Sequence, residues 1–298
     1  MALLEYDMPL YRPPSEGRNL ILQVTLGCSH NECTFCMMYK TKQFRARPWE
    51  EIRAEIDRLA PHFQGVDRIF LADGDALVLS TRRLTQILDH LHARFPRLAR
   101  VTSYATPQNI HAKSAEDLAL LREKGLTMLY VGVESGDPET LTLIEKGATD
   151  QEIIDAGQKA NAAGMKVSAT VLIGPAGRER SAEHAEATAR VLTKMQPAYG
   201  SALVMMMGPL EDDYKQMMER RRGGPWNWLD QRQTLEELRA LVAAIDAPAM
   251  EFRSNHASNY LPLRGRYPED RAALTRVIDE VLNNPGHPAL RPDHLRAL

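Results

Sequence analysis

Cysteine is scarce in this chain: three residues of 298. An odd number cannot pair off, which excludes a closed disulfide framework. No charge dominates: 37 basic side chains stand against 39 acidic ones, a net charge of −2. Global electrostatics therefore favour neither nucleic acid nor a membrane surface, and neither is expected as a partner. No apolar run approaches the roughly 18–20 residues needed to cross a bilayer. Residues 1–17 are mixed in charge, carry Pro9, Pro13 and Pro14, and lack the basic-then-apolar layout of a secretion signal. There is no low-complexity tract and no basic helix–turn–helix pattern. The Gly174-Pro175-Ala176-Gly177 loop lacks the Lys-Ser/Thr ending of a phosphate-binding loop. Hydrophobic residues make up 44% of the chain, ample for a large α/β domain with an appendage.

The cysteines that are present all fall within nine residues, in Gly27-Cys28-Ser29-His30-Asn31-Glu32-Cys33-Thr34-Phe35-Cys36. Their pattern is C-x4-C-x2-C, directly after an apolar run over residues 20–26 that reads as a short buried strand. Clustered, unpaired thiols suit a reducing compartment, so a cytoplasmic location is expected. Three cysteines do not complete a four-ligand structural zinc site, although His30 is available to close one. They also read as small buried hydrophobes. Three soft sulfur ligands suit, in addition, an iron–sulfur cluster with one iron left open.

From this loop onward the chain alternates. Strands are expected over residues 20–26, 67–72, 100–105, 127–133, 166–173 and 201–207. Helices are expected over 49–60, 81–94, 114–124, 137–145, 150–163 and 181–195. Such alternation without hairpin signals predicts parallel strands with right-handed crossovers. Beyond residue 208 the pattern breaks. Residues 209–230 read as a Met-, Arg- and Gly-rich stretch, with Arg220-Arg221-Arg222-Gly223-Gly224 as a turn or loop. Helices over 234–245 and 271–282 and a short strand over 249–253 follow.

The cysteine motif resembles the cluster loop of the radical SAM (S-adenosylmethionine) superfamily, with a first gap one residue longer than that family's usual C-x3-C-x2-C. Six βα units match its partial barrel. The resemblance implies an α/β fold, a partial (βα)6 TIM-like barrel with a small α-rich C-terminal extension. It divides the chain into an N-terminal segment (1–17), the barrel (18–207) and an extension (208–298) that caps the substrate side. It implies a [4Fe-4S] cluster on Cys28, Cys33 and Cys36, S-adenosyl-L-methionine as the second cofactor, and a flavodoxin- or ferredoxin-type electron donor. The implied activity is reductive cleavage of SAM to a 5′-deoxyadenosyl radical that takes hydrogen from a substrate.

Chemistry in βα barrels gathers at the C-terminal strand ends. After the second strand, Gly74 and Asp75 resemble the family's Gly-Gly-Glu segment, which binds the amino group of SAM; the plainer reading of Asp-Gly is a surface turn. After the fourth, Val131-Gly132-Val133-Glu134-Ser135-Gly136 resembles a segment of the branch holding oxygen-independent coproporphyrinogen III oxidase, the methylthiotransferases and the elongator-type enzymes. That likeness makes Glu134 a ribose contact and Lys146 the cation for SAM's carboxylate. Gly174, after the fifth strand, matches the position that supports adenine. In the C-terminal part, residues 253–260 are dense in hydrogen-bonding groups. His256 as acid/base and Tyr260 beside it are the candidate catalytic residues there, and Arg253, Arg264 and Arg266 suit an anionic small-molecule substrate. A solvated loop is the alternative. The absence of further cysteines argues against an auxiliary cluster. Alternatives to this activity are a tetrapyrrole-oxidising enzyme, an iron–sulfur or haem carrier on the same fold, and a zinc-binding protein.

Overall fold

The computed structural model describes residues 4–297. Its strands are β1 (Leu20–Gln23), β2 (Thr25–Leu26), β3 (Arg45–Ala46), β4 (Arg68–Ala72), β5 (Arg100–Ala105), β6 (Leu126–Glu134), β7 (Lys166–Ile173), β8 (Tyr199–Val204), β9 (Glu251–Arg253) and β10 (Arg264–Arg266). The helices are α1 (Trp49–Leu59), α2 (Thr81–Arg94), α3 (Pro107–Ala112), α4 (Ala115–Glu123), α5 (Pro138–Leu143), α6 (Asp150–Ala162), α7 (Ser181–Met195), α8 (Glu211–Arg222), α9 (Gln231–Ala244) and α10 (Arg271–Leu282). β2 and β3 form a small antiparallel ribbon.

The chain folds as two compact units. The first comprises Met1–Glu32, Cys36–Val131 and Lys159–Val167, the second Cys33–Phe35, Gly132–Gln158 and Ser168–Leu298. In the first, β1 lies parallel to β4, β4 to β5 and β5 to β6. In the second, β7 is parallel to β8 and β8 to β9, while β10 returns antiparallel to β9. This bears out the expected α/β class. Its cause is visible in the strands: all four residues of β1 and four of five in β4 are buried, as parallel strands covered on both faces must be.

Helix starts follow local chemistry. Ser80 accepts from the Arg83 N–H to cap α2, and the pairs Ser114/Asp117 and Asp230/Gln233 form capping boxes at α4 and α9. Two helices depart from the sequence reading. α3 is absent from the expected helices, although Thr106 caps it and Pro107 takes its first turn. At residues 220–224, expected as a turn or loop, Arg220, Arg221 and Arg222 instead belong to α8. Glu211, Asp212 and Asp213 open it, Arg220, Arg221 and Arg222 close it, and Gly223 ends it at φ +70°. Acids at the start and cations at the end oppose the helix dipole favourably, and Tyr214 and Met218, one turn apart, are buried.

The sixth strand ends at Val204, earlier than expected. Met205 and Met207 therefore leave the sheet and pack with Leu143, Ile144, Leu172, Tyr214, Met218 and Trp226, where thioethers fill irregular space. Among the described residues no helix is long and apolar enough to cross a membrane.

Candidate active site

In the first unit the ends of β1 and β4 are stitched together by Asp73, which is fully buried. Its carboxylate accepts from the Gly27 N–H (3.0 Å), from Gln23 Nε2 (3.0 Å) and from Lys42 Nζ (2.9 Å). The Gly74 N–H in turn donates to Gly27 O at 3.1 Å. The residue before Cys28 is thus held by the loop after β4. Sequence reasoning passed over Asp73; the acid beside Gly74 was the available signal.

Gly74 has a steric reason. A Cβ there would stand 2.6 Å from Tyr39 Cε2 and 2.9 Å from Cys28 Cβ, so no side chain fits without displacing the cysteine loop. Asp75 is buried, and its Oδ2 accepts from Ser29 Oγ (2.5 Å), Thr106 Oγ1 (3.3 Å) and Asn109 Nδ2. Its Oδ1 is buried and has no partner. Burial pushes the carboxyl up, opposed by the bonds from Ser29, Asn109 and Thr106. A buried acceptor left open is costly unless something donates to it, and an ammonium meets that requirement.

In the second unit Cys33-Thr34-Phe35 is anchored by the Thr34 N–H donating to Ile144 O at 3.0 Å, with Phe35 against the Met-rich cluster. Glu134 closes β6 at φ +63° and is buried beside Lys146, whose Nζ lies 3.3 Å from Oε1. Burial raises the Glu134 carboxyl, and Lys146 opposes that. A Cβ on Gly132 would collide with Glu134 Oε1 and stand 2.9 Å from Lys146 Nζ; the missing side chain makes the cradle for this pair.

Gly174 follows β7, and its N–H donates to Glu237 Oε1 at 2.7 Å. Glu237, carried by α9, also accepts from Ser181 Oγ and lies 3.5 Å from His184 Nε2. The His184 Nε2–H donates to Leu172 O (3.0 Å), which leaves Nδ1 to accept from Ser135 Oγ (2.9 Å). One buried network thus ties Ser135, next to Glu134, to Gly174. Neither Glu237 nor His184 was singled out from the sequence. The signal was present: Glu237 sits among Thr234, Leu235, Leu238 and Leu241 on the buried face of α9.

The C-terminal polar segment is engaged within the chain. His256 Nδ1 pairs with Ser258 Oγ (2.9 Å), and burial followed by Arg291 holds the imidazole below its ordinary range, so it is neutral. Arg296 lies 3.7 Å over the Tyr260 ring. The Tyr260 hydroxyl is pushed up to about 12 by burial and by its bond with Asp293. Arg253 and Arg264 both reach Glu251, at 3.1 and 3.0 Å, and Arg266 is exposed on β10.

None of the three cysteines is in a disulfide, and all are half-buried. Among the described residues no three His, Cys, Asp or Glu side chains are grouped as ligands of one metal ion. Ligands of a single zinc must converge within about 2.0–2.3 Å of it, whereas in a cubane cluster each thiolate takes a different iron. The residues present fit the second kind of group and SAM: three soft thiol ligands outside any disulfide, a glycine that admits the loop, and an open acceptor on Asp75.

The profile described as Radical SAM superfamily matches residues 22–192, more than half of the chain. An uncharacterized methyltransferase of Pyrococcus horikoshii is 26% identical over 199 residues, which cover 65% of this chain and 41% of that protein. Among solved structures, coproporphyrinogen III oxidase (HemN) of Escherichia coli aligns with TM-score 0.56 at 15% identity, over 76% of this chain and 51% of that one. The radical S-adenosylmethionine methyltransferase TsrM of Kitasatospora setae, solved with cobalamin and a [4Fe-4S] cluster, aligns with TM-score 0.57 at 18% identity, over 88% of this chain and 61% of that one. The chain spans less than half of the curated relative's length, and the solved neighbours share its fold. The parallel βα succession, the cysteine loop after its first strand and the profile that spans both make this chain a member of the radical SAM superfamily.

Proposed function

We propose that Cys28, Cys33 and Cys36 hold a [4Fe-4S] cluster and that the chain uses it to cleave SAM reductively, with hydrogen abstraction from a small-molecule substrate. When bound and reduced by an external flavodoxin- or ferredoxin-type donor, the cluster supplies one electron to the sulfonium, so that the S–C5′ bond breaks to methionine and a 5′-deoxyadenosyl radical. The chain's own residues orient SAM and exclude water. Asp75 Oδ1 accepts from the SAM ammonium, and the backbone at Gly74 admits it. Glu134 accepts from the ribose hydroxyls, Lys146 meets the methionyl carboxylate, and Gly174 lets the adenine approach the backbone. On the substrate side the neutral His256 is the candidate proton-transfer group, and Arg253, Arg264 and Arg266 supply positive charge for an anionic substrate. Tyr260 takes part through its hold on Asp293 and Arg296. The observation that carries the reading is the open acceptor on buried Asp75, directly after the glycine that packs on Cys28.

The test is anaerobic reconstitution with iron and sulfide, then dithionite and SAM, with products followed by mass spectrometry. 5′-Deoxyadenosine with a [4Fe-4S] spectrum supports the reading. A cluster-loaded protein that leaves SAM intact favours a carrier, and a colourless protein binding one zinc overturns the cluster assignment. Asp75→Asn should weaken SAM binding by about tenfold to a hundredfold, because a hydrogen bond to a charged group contributes about 1.5–3 kcal/mol. Titration calorimetry on the reconstituted protein reads this, and an unchanged Kd removes Asp75 from the site.

A further inference from the structure

Tyr39 lies three residues beyond the last cysteine and is 2% exposed. Its carbonyl accepts from the Lys42 N–H and from Asn31 Nδ2, each at 3.0 Å. Its ring is fixed on several sides. Tyr11 meets it edge-on at 5.5 Å, Lys42 Nζ stands 5.9 Å from its centroid, and Cε2 packs on Gly74 together with Cys28 Cβ. Its hydroxyl is buried and has no hydrogen-bond partner. A buried phenol normally has one, and leaving it unpaired is costly. Such an expense in an otherwise well-packed ring calls for an acceptor that the protein alone does not supply.

Cε2, the ring carbon adjoining the one that bears oxygen, and the Cβ of Cys28, a proposed cluster ligand, both lie within 3 Å of where a Cβ on Gly74 would stand.

We infer that the Tyr39 hydroxyl donates a hydrogen bond to an inorganic sulfide of the cluster, and so sets its reduction potential. The inference rests on the cluster reading and goes beyond it by naming a tuning residue outside the ligand set. A donor to sulfur stabilises the more negative, reduced cluster and raises its potential.

The experiment compares the wild-type protein with Tyr39→Phe, both reconstituted anaerobically. Phenylalanine keeps the ring contacts with Tyr11, Gly74 and Cys28 and removes only the donor. The midpoint potential is read by dye-mediated titration with EPR, and Fe–S stretching modes by resonance Raman in H2O and D2O. The variant should take up the same iron and sulfide, yet its reduction equilibrium should fall by about tenfold, which for one electron is about 59 mV to lower potential. The wild type should show a solvent-isotope shift in Fe–S modes that the variant lacks. Equal potentials and equal Raman responses would overturn the role of Tyr39 while the cluster reading stands. Failure of the wild type to load any cluster would overturn both, and the two failures are therefore distinguishable.

Discussion

Alanine at Cys28, Cys33 or Cys36, introduced one at a time, is expected to yield a folded protein with no stable [4Fe-4S] cluster and no 5′-deoxyadenosine formation above background. Each thiolate holds one iron, and loss of one leaves two irons of the cubane exposed where the proposed site tolerates a single open position. The fold should survive, because the three side chains are half-buried on a loop and none belongs to the buried apolar core. Substitutions of that kind move stability by about 1 kcal/mol or less. Iron and sulfide content, visible absorbance and thermal unfolding measure the two halves of the expectation. His30→Ala is the control. It should leave iron and sulfide uptake at the wild-type level, whereas equal metal loss in all four variants, with zinc in the wild type, would establish a zinc centre closed by His30.

The second large effect lies at the Glu134–Lys146 pair. Both side chains are about one tenth exposed. Removing one partner of a buried ion pair leaves an uncompensated charge, which costs about 3–5 kcal/mol. Lys146→Ala should therefore lower stability by about that amount near neutral pH. The loss should depend on pH in a defined direction. Burial holds the Glu134 carboxyl above its ordinary range, and Lys146 is the opposing influence; without it the carboxyl rises further. An acid whose folded pKa lies above its unfolded value stabilises the fold at low pH and loses that contribution as pH rises through the folded value. The variant should thus approach wild-type stability near the ordinary carboxylate range and fall behind as pH rises toward neutrality. Urea unfolding across that range would show it, and a pH-independent gap would contradict it. Measured against Glu134→Gln alone, the double variant Glu134→Gln/Lys146→Ala should show no such pH-dependent gap, since no carboxyl remains at position 134 to titrate.

Much of the fold was legible because its signals are local. Helices 81–94, 181–195 and 271–282 and strands 100–105 and 166–173 were expected at their observed bounds, the first helix from Leu84, Ile87, Leu88 and Leu91 at helical spacing. α8 was missed because its stability comes from charge at its two ends and from two buried residues rather than from an apolar stripe. β10 was missed because a three-residue strand carries no periodicity; only its pairing with β9 defines it.

The same division runs through the site. The cysteines, the Gly74-Asp75 pair and Glu134 stand in short motifs at strand ends, and their resemblance to radical SAM segments singled them out from the sequence. Asp73, Glu237, His184 and Tyr39 were not identified, because each acts through atoms distant in sequence. Asp73 binds Gly27, 46 residues away, and Glu237 binds Gly174, 63 residues away.

By itself the sequence determined the βα succession, the cysteine loop and the family to which the chain belongs, since hydrophobic period and motif spacing are properties of neighbouring residues. Only the tertiary structure decided which polar atoms end up buried and which of those are left unpaired. Burial and hydrogen-bond satisfaction depend on what packs around an atom in space, so the open acceptor on Asp75 and the unpaired hydroxyl of Tyr39 exist only once the chain has folded.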